Sequence, residues 1–325
     1  MKEPRRMMMM LLMTLVMLAT VTGIHQQSRE GATGSSLRQF SPSQVKAFYE
    51  DGYVLVRGLV SPADVEYLQE CARGTMKRKG PLDDFVKKNY KKIEFRTLLS
   101  DERLSNISRN IPVHQIMEKK KGLIPFPLPR AFKGGRIRVL KDAFLSFLPG
   151  LDGCGWHVDD ESFWPTKLAN RGSEGVNVWI ALSEYKRSRG GGLAIAPKSH
   201  AQGWTKRARD LLRSSGRTCA LQELSPELHN RCEALAERTM DMDPGDAIVH
   251  SRWLFHRSDP FSMDGVDHFN GPGKKEPLMR YSIRYMPEQS RLSSRFDQII
   301  KDKQQNGKSL EEVGSAFHPL VFGQK

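Results

Sequence analysis

The sequence contains little cysteine and no repeated segment. Its four cysteines in 325 residues are too few for a disulfide-rich scaffold, and no two of them form the CxxC pair of a zinc ribbon. No internal repeat is visible, so a solenoid or a propeller is not indicated. A chain of this length can bury a sizeable core, and we expect one main domain with decorated loops.

The four cysteines do not indicate a catalytic or metal-binding role. We expect Cys71 and Cys154 to be buried free thiols, whereas Cys219 and Cys232 could pair in an oxidising compartment. Cys154 lies three residues before His157, but a single thiol without a CxxC partner is no zinc signature. The sequence therefore predicts at most one disulfide, between Cys219 and Cys232.

Acidic residues are in the minority. The 51 lysines and arginines outnumber the 37 aspartates and glutamates, which gives a formal net charge of +14. Basic runs such as Lys77-Arg78-Lys79 and Lys119-Lys120-Lys121 usually form solvated surface, but this excess could attract anionic substrates, membrane headgroups or nucleic acid. No nucleic-acid-binding module is recognisable. We therefore expect a small-molecule partner, for which an anion would suit the charge, and no specific nucleic acid.

Long apolar runs are absent except at the N-terminus. There Arg5-Arg6 precede a stretch from Met7 to Gly23 that is interrupted only by threonines. This pattern is typical of a secretory signal peptide, and its length also reaches the lower limit for a membrane anchor. We predict a signal peptide or signal anchor over residues 1–23 and a linker over 24–40. Either form sends the remainder into the secretory pathway, to the endoplasmic reticulum or Golgi lumen or outside the cell. A membrane partner is expected only if the segment is retained.

The rest of the chain predicts helices followed by a mainly β core. Helical patterns follow Ser41 and Ser61, and both have proline at the first helical position. Short apolar runs bounded by turn residues then predict strands, which suggests a sandwich or a barrel. These runs are Ala143 to Leu148, Val176 to Leu182, Gly192 to Ala196, Ala247 to Val249 and Tyr281 to Met286.

The most informative motif is Trp156-His157-Val158-Asp159, followed about a hundred residues later by Leu254-Phe255-His256. On a strand, His157 and Asp159 would project to the same face, and a distant second histidine could complete a facial site with three ligands. That ligand set is typical of non-haem Fe(II) oxygenases. A lone histidine in an apolar strand is more often a hydrogen-bonded core residue, so the surrounding sequence has to decide.

Three further blocks follow the same order. They are Asn177 to Ser183 with Arg189 to His200, then Pro244 to Asp259, then Arg280 to Tyr285. With these blocks, and with the helix–strand–helix pattern between Ser41 and Ser61, the chain resembles the phytanoyl-CoA dioxygenase family over roughly residues 41–287.

The resemblance implies a double-stranded β-helix, or jelly roll, in a catalytic domain over residues 41–290, with a C-terminal extension over 291–325. It implies that His157, Asp159 and His256 bind Fe(II) and form the catalytic centre. The co-substrates would be 2-oxoglutarate and O2, the co-products succinate and CO2, and the reaction the hydroxylation of a small-molecule or lipid-like substrate. Relatives that halogenate have a small residue in place of the carboxylate, so Asp159 disfavours halogenation and leaves hydroxylation or desaturation.

The resemblance also implies a binding site for the far carboxylate of 2-oxoglutarate. Arg280 is preferred, because a guanidinium pairs with a carboxylate in a two-point contact. The family usually places this arginine closer to the second histidine, and the insertion Phe261 to Pro277 accounts for the excess. Arg284 shares the strand face and stays an alternative. Trp179 either packs on the co-substrate or is an ordinary core residue.

Other interpretations remain open. His250 could replace His256 as the distal ligand, although the residues around His256 fit the family better. The protein could also be a polyanion- or membrane-binding protein on a degenerate oxygenase scaffold. A third possibility is a cupin-type metal enzyme that does not use 2-oxoglutarate.

Overall fold

The computed structural model describes the chain from Gln39 onward, with several gaps. The described ranges are 39–77, 92–95, 101–117, 136–151, 153–161, 163–168, 175–216, 219, 221–273, 276–300, 305–314 and 318–322. These ranges belong to one unit that extends from residue 38 to residue 325. The predicted signal segment and nearly all of the predicted linker lie outside the described residues.

The two predicted N-terminal helices are confirmed. Helix α1 (Pro42–Asp51) begins with a capping box, in which the Ser41 hydroxyl accepts from the Gln44 N–H at 3.2 Å and the Gln44 side chain accepts from the Ser41 N–H at 2.8 Å. It ends at Gly52, whose φ of 85° is the left-handed conformation that favours glycine. Helix α2 (Pro62–Lys77) follows Ser61.

The core is a jelly roll built on a large antiparallel sheet, as predicted. The strands are β1 (Tyr53–Val56), β2 (Lys92–Phe95), β3 (Ile137–Phe147), β4 (Val176–Ala181), β5 (Leu193–Ile195), β6 (Ala247–Ser251), β7 (His256–Ser258), β8 (Leu278–Pro287) and β9 (Leu320–Phe322). Those of the large sheet run in the order β1-β6-β4-β8-β3-β2, and β9 pairs with the beginning of β3. A second sheet pairs two short strands, β5 and β7, in antiparallel fashion.

The remaining helices pack around these sheets. They are α3 (Glu102–Asn110), α4 (His114–Met117), α5 (Gln202–Ser215), α6 (Leu221–Leu224), α7 (Pro226–Leu235), α8 (Met263–Asn270), α9 (Ser294–Ile300) and α10 (Leu310–Val313). The predicted insertion between His256 and Arg280 contains the short helix α8. Among the described residues, no helix combines the length and the apolar character needed to cross a membrane.

The large sheet has two different faces because side chains alternate along each strand. On β8, Tyr281, Ile283 and Tyr285 belong to the main apolar core, which also contains residues of α1 to α4. The residues between them, Ser282 and Arg284, are buried on the opposite face. That opposite face, together with the small sheet, encloses the polar interior of the jelly roll.

The C-terminal residues pack against the jelly roll. Strand β9 pairs with β3, and Leu292, Phe296 and Leu310 share an apolar cluster with Trp164 and Met286. The segment predicted as a C-terminal extension therefore contributes to the core, although its boundary at residue 290 stays a prediction.

The cysteine pairing differs from the prediction. Cys154 and Cys219 form a disulfide with a Cα–Cα distance of 5.3 Å, and Cys71 and Cys232 are free. The pairing of Cys219 with Cys232, which the sequence left open, does not form; the expectation of a free Cys154 is wrong, and Cys71 is half-buried rather than buried. Cys232 lies inside an apolar cluster on α7, whereas Cys219 is exposed in the connection between α5 and α6. Folding brings that connection to Cys154, which sequence spacing does not reveal.

Candidate metal centre

The segment that carries His157 and Asp159 is not a regular strand, so the prediction that both lie on one is wrong. His157 forms a single antiparallel bridge with His256, in which each backbone N–H donates to the other carbonyl at 2.9 Å. Alternation still holds locally, because Trp156 and Val158 are buried in an apolar cluster formed mainly with helices α5 to α7. His157 and Asp159 therefore share the other side of the segment.

Three potential ligand atoms converge at this bridge. The Nε2 atoms of His157 and His256 each lie 3.6 Å from Oδ1 of Asp159. All three residues are buried, with 7%, 5% and 4% of the surface of His157, His256 and Asp159 exposed. Atoms at this spacing can share one metal ion about 2 Å from each. The structure thus brings together the three residues that the sequence predicted as ligands.

Backbone carbonyls fix both imidazole rings. Nδ1 of His157 lies 2.7 Å from the Gly155 oxygen, and Nδ1 of His256 lies 2.9 Å from the Leu254 oxygen. A carbonyl oxygen can only accept, so each Nδ1 carries the proton and each Nε2 keeps its lone pair for a metal. Burial and the neighbouring His157 also lower the pKa of His256, which favours the neutral, ligating form.

The second carboxylate oxygen of Asp159 is already engaged. Oδ2 accepts from the Trp164 indole N–H at 3.0 Å and from two nitrogens of Arg284 at 3.0 and 3.3 Å. Burial alone would raise the pKa of Asp159, but the Arg284 charge and the neighbouring His157 and His256 together outweigh burial and hold the pKa well below the usual range. The carboxylate is therefore ionised, and Oδ1 is directed at the two histidines.

His250 lies next to this centre but is arranged differently. Its Nδ1 donates to the Ser251 carbonyl at 2.9 Å, and its Nε2 accepts from the Asn177 amide at 2.9 Å. The Asn177 oxygen in turn accepts from the Ser282 hydroxyl at 3.0 Å. Burial lowers the pKa of His250 to about 3. Both ring nitrogens are thus occupied by hydrogen bonds, and His250 has no lone pair to offer a metal in this arrangement.

Arg280 and Trp179 lie together, at some distance from Arg284 along the same face of the sheet. The Arg280 guanidinium carbon is 5.5 Å from the centre of the Trp179 ring, a cation–π contact. The Trp179 ring is tilted against that of Tyr185, with 5.0 Å between centroids. Four positions along β8 separate Arg280 from Arg284, which corresponds to about 13 Å between their Cα atoms. The two arginines predicted as alternatives thus have different surroundings.

Some residues of the site were not identified from the sequence. Trp164 follows no periodic pattern, and nothing in the sequence indicates that its indole reaches Asp159. Asn177 and Ser282 lie on predicted strands, and their position among apolar neighbours was a detectable signal of buried polar contacts. Tyr185 follows β4, forms an isolated antiparallel bridge with Met242, and gave no signal.

Residues 48–264 match the family model described as phytanoyl-CoA dioxygenase, which is more than half of the chain. The chain belongs to the phytanoyl-CoA dioxygenase family. The resemblance inferred from the motifs is thereby confirmed. The match includes the convergent histidines and Asp159, so this family member retains a complete candidate metal centre. No curated protein matches the sequence.

Solved structures show the same fold at low sequence identity. The carbocyclase SnoK from nogalamycin biosynthesis, described as non-haem and alpha-ketoglutarate-dependent, is 17% identical with a TM-score of 0.60, covering 88% of this chain and 98% of its own. The epimerase SnoN, in complex with Fe3+, alpha-ketoglutarate and nogalamycin RO, is 16% identical with a TM-score of 0.57, covering 86% and 98%. EctD from S. alaskensis, in its apoform, is 16% identical with a TM-score of 0.51, covering 86% of each chain.

Proposed function

We propose that this family member is an Fe(II)- and 2-oxoglutarate-dependent oxygenase that hydroxylates a small molecule. The observation that carries the proposal is the convergence of His157 Nε2, His256 Nε2 and Asp159 Oδ1 in a buried site. Two neutral imidazoles and one carboxylate are the facial ligand set of non-haem Fe(II) oxygenases. The protonation of both rings at Nδ1 fits this role, because it leaves the correct nitrogen of each for the metal.

The residues around the ligands would support the bound metal. Arg284 and Trp164 hold Oδ2 of Asp159, so the carboxylate offers one oxygen and the remaining coordination positions stay open for co-substrates. When bound, Fe(II) would supply the activation of O2, coupled to the conversion of 2-oxoglutarate to succinate and CO2. The burial of the site limits the access of water to this chemistry.

Arg280 is the better candidate for binding the far carboxylate of 2-oxoglutarate. Arg284 already donates two hydrogen bonds to Asp159, and its charge is balanced by that carboxylate. Arg280 lies on the same face of β8 and could form a charged two-point contact with a carboxylate. Trp179, beside it, would pack on the bound co-substrate. Arg284 is thereby assigned to the support of Asp159.

Hydroxylation is the reaction type that we propose. Asp159 fills the position in which a halogenating relative has a small residue, and its charge is balanced by Arg284. The similar structures include a carbocyclase and an epimerase, so the fold itself accommodates several outcomes. The reaction class therefore needs its own product analysis.

The substrate that we propose is a small molecule, with anionic character suited to the net charge of +14. We also propose that the protein works in the secretory pathway. The basic and apolar N-terminal segment supports this location, and the Cys154–Cys219 disulfide is of a kind that persists in oxidising compartments. Expression in a secreting host, with analysis of the N-terminus of the exported protein, would test it; retention in the cytosol would contradict it.

The two other functional classes make different predictions. A binding protein on a degenerate scaffold would not need three convergent ligands with their rings fixed for metal binding. A cupin-type enzyme without 2-oxoglutarate would use the same metal but would not respond to that co-substrate. Dependence on 2-oxoglutarate therefore separates these classes from the proposal.

The decisive experiment needs no substrate. Fe(II) and 2-oxoglutarate are added anaerobically to the purified protein, and the visible charge-transfer band of the chelate is measured. We expect a band that is lost in His157→Ala and kept in His229→Ala, a control in helix α7. If well-folded protein gives no band, the proposal is contradicted. Product analysis by mass spectrometry, with a gain of one oxygen atom, then tests hydroxylation.

A further inference from the structure

The Cys154–Cys219 disulfide lies beside the candidate metal centre. Cys154 is three residues before His157, and both sulfurs lie within 4.8 Å of a ring nitrogen of His157. We propose that this disulfide is a covalent brace that positions His157 and thereby raises the metal affinity. The inference rests on the proposed metal site, but it concerns a cross-link that the proposed function does not require.

The segment that carries the ligands has few backbone restraints of its own. Residues 153–160 form no strand. Their β-type pairing consists of the single bridge between His157 and His256. The Ser258 N–H also donates to the Cys154 carbonyl at 3.1 Å. A segment held in this way gains more from a cross-link than a strand held by a ladder of hydrogen bonds would.

The contacts lead from the disulfide to the imidazole in two steps. Cys219 approaches Gly155 so closely that a side-chain carbon at Gly155 would lie 3.1 Å from the Cys219 carbonyl oxygen. The Gly155 carbonyl in turn accepts from Nδ1 of His157 at 2.7 Å. The disulfide therefore fixes the residue whose carbonyl sets the orientation of the His157 ring, an outer contact of the kind that tunes metal ligands.

The other end of the cross-link lies between two packed helices. Cys219 lies between α5 and α6, and Leu212 and Leu221 from these helices are buried in the cluster that contains Trp156 and Val158. Cys219 itself is exposed, whereas Cys154 is buried. We therefore expect a thiolate from solution to attack the Cys219 sulfur, with Cys154 leaving as a thiolate that then takes up a proton.

Reduction follows the usual exchange chemistry. A dithiol reductant transfers two electrons and two protons, so the Cys154–Cys219 bond becomes two thiols while the reductant closes to its own disulfide. We expect the reduced protein to stay folded but to hold His157 less well. Because supporting contacts typically contribute 10- to 100-fold to metal affinity, we expect the Kd for metal to rise about tenfold or more.

The test compares the oxidised and reduced full-length protein with Co(II) as the probe. Dithiothreitol is removed under argon before titration, and thiol labelling counts the free cysteines. Cys219→Ser should reproduce the effect of reduction, whereas Cys71→Ser, a change at a free cysteine, should not. A merely structural cross-link would lower the Tm of the metal-free protein and leave the Kd for Co(II) unchanged. A Kd that changes less than about twofold would overturn the proposal, as would free thiols at Cys154 and Cys219 after oxidative purification.

A second measurement separates this inference from the proposed function. If the oxidised protein binds no Co(II), the proposed metal site is contradicted. Hydrogen exchange then tests the effect of the disulfide on His157 without any metal. The His157 amide, which donates to the His256 carbonyl, should exchange at least about tenfold faster after reduction. Unchanged exchange over residues 153–159 would overturn the proposal independently of any metal.

Discussion

Two levels of the polar interior differ in how their charges are arranged. One level, called the ligand level after the role proposed for it, contains His157, Asp159 and His256, with Arg284 balancing the carboxylate. The other, called the anchor level after the role proposed for Arg280, contains Arg280 against the Trp179 ring, which in turn lies against the Tyr185 ring. In the ligand level, the atoms that point away from the centre are already hydrogen-bonded: Nδ1 of each histidine and Oδ2 of Asp159. Two arginines on one strand face thus have different surroundings, because Arg284 pairs with Asp159 and Arg280 lies against aromatic rings.

The largest effect is expected from the ligands themselves. His157→Ala or His256→Ala removes one of three ligand atoms, so we expect loss of measurable Fe(II) binding and of turnover. Circular dichroism should show an unchanged fold. Isothermal titration with Co(II) measures the loss, with His229→Ala as the control. Retained binding in both variants would place the metal elsewhere.

Arg284→Met should break the charge balance of the ligand level. It leaves the buried Asp159 carboxylate without its cation, which typically costs about 3–5 kcal/mol of stability. Urea unfolding of the metal-free protein measures the change. Arg284→Lys keeps the charge but not the two-point geometry and should fall between wild type and Arg284→Met. A methionine variant as stable as wild type would show that the ion pair does not matter.

Arg280→Ala should weaken the binding of 2-oxoglutarate without weakening the binding of metal. We expect the KM for 2-oxoglutarate to rise by about 10- to 100-fold, because a charged hydrogen bond contributes roughly 1.5–3 kcal/mol. Co(II) affinity should stay unchanged. The measurement is 2-oxoglutarate-dependent succinate formation beside a metal titration. If Arg284→Lys raises this KM and Arg280→Ala does not, the assignment of the two arginines is reversed.

The smallest effect at neutral pH concerns His250. Its pKa is lowered to about 3, so the unfolded chain binds this proton near pH 6.5 while the folded chain does not. Stability should therefore fall as the pH drops below 6.5, with this residue contributing at most about 1.4 kcal/mol per pH unit. His250→Gln should reduce the slope of unfolding free energy against pH between about 4 and 6. An unchanged slope would contradict the burial of a neutral His250.

The two N-terminal helices and most strands of the core could be predicted because their signals are local. Ser41 and Ser61 mark helix starts through contacts with residues three positions away, and alternation marks the strands. The strand that was predicted for His157 and Asp159 was wrong, although the same alternation directs both side chains to one side. The ligand roles stay predictions, but the convergence of the three side chains is a property of the structure.

The sequence by itself determined the family to which the chain belongs, and it named the candidate ligands in their order along the chain. Only the tertiary structure decided which groups support them. Arg284 reaches Asp159 across 125 residues, and Cys154 meets Cys219 across 65. Such contacts depend on how the sheets and helices pack, and no local spacing encodes them. The physical reason is that capping and alternation act between neighbours in the chain, whereas ion pairs and disulfides act between neighbours in space.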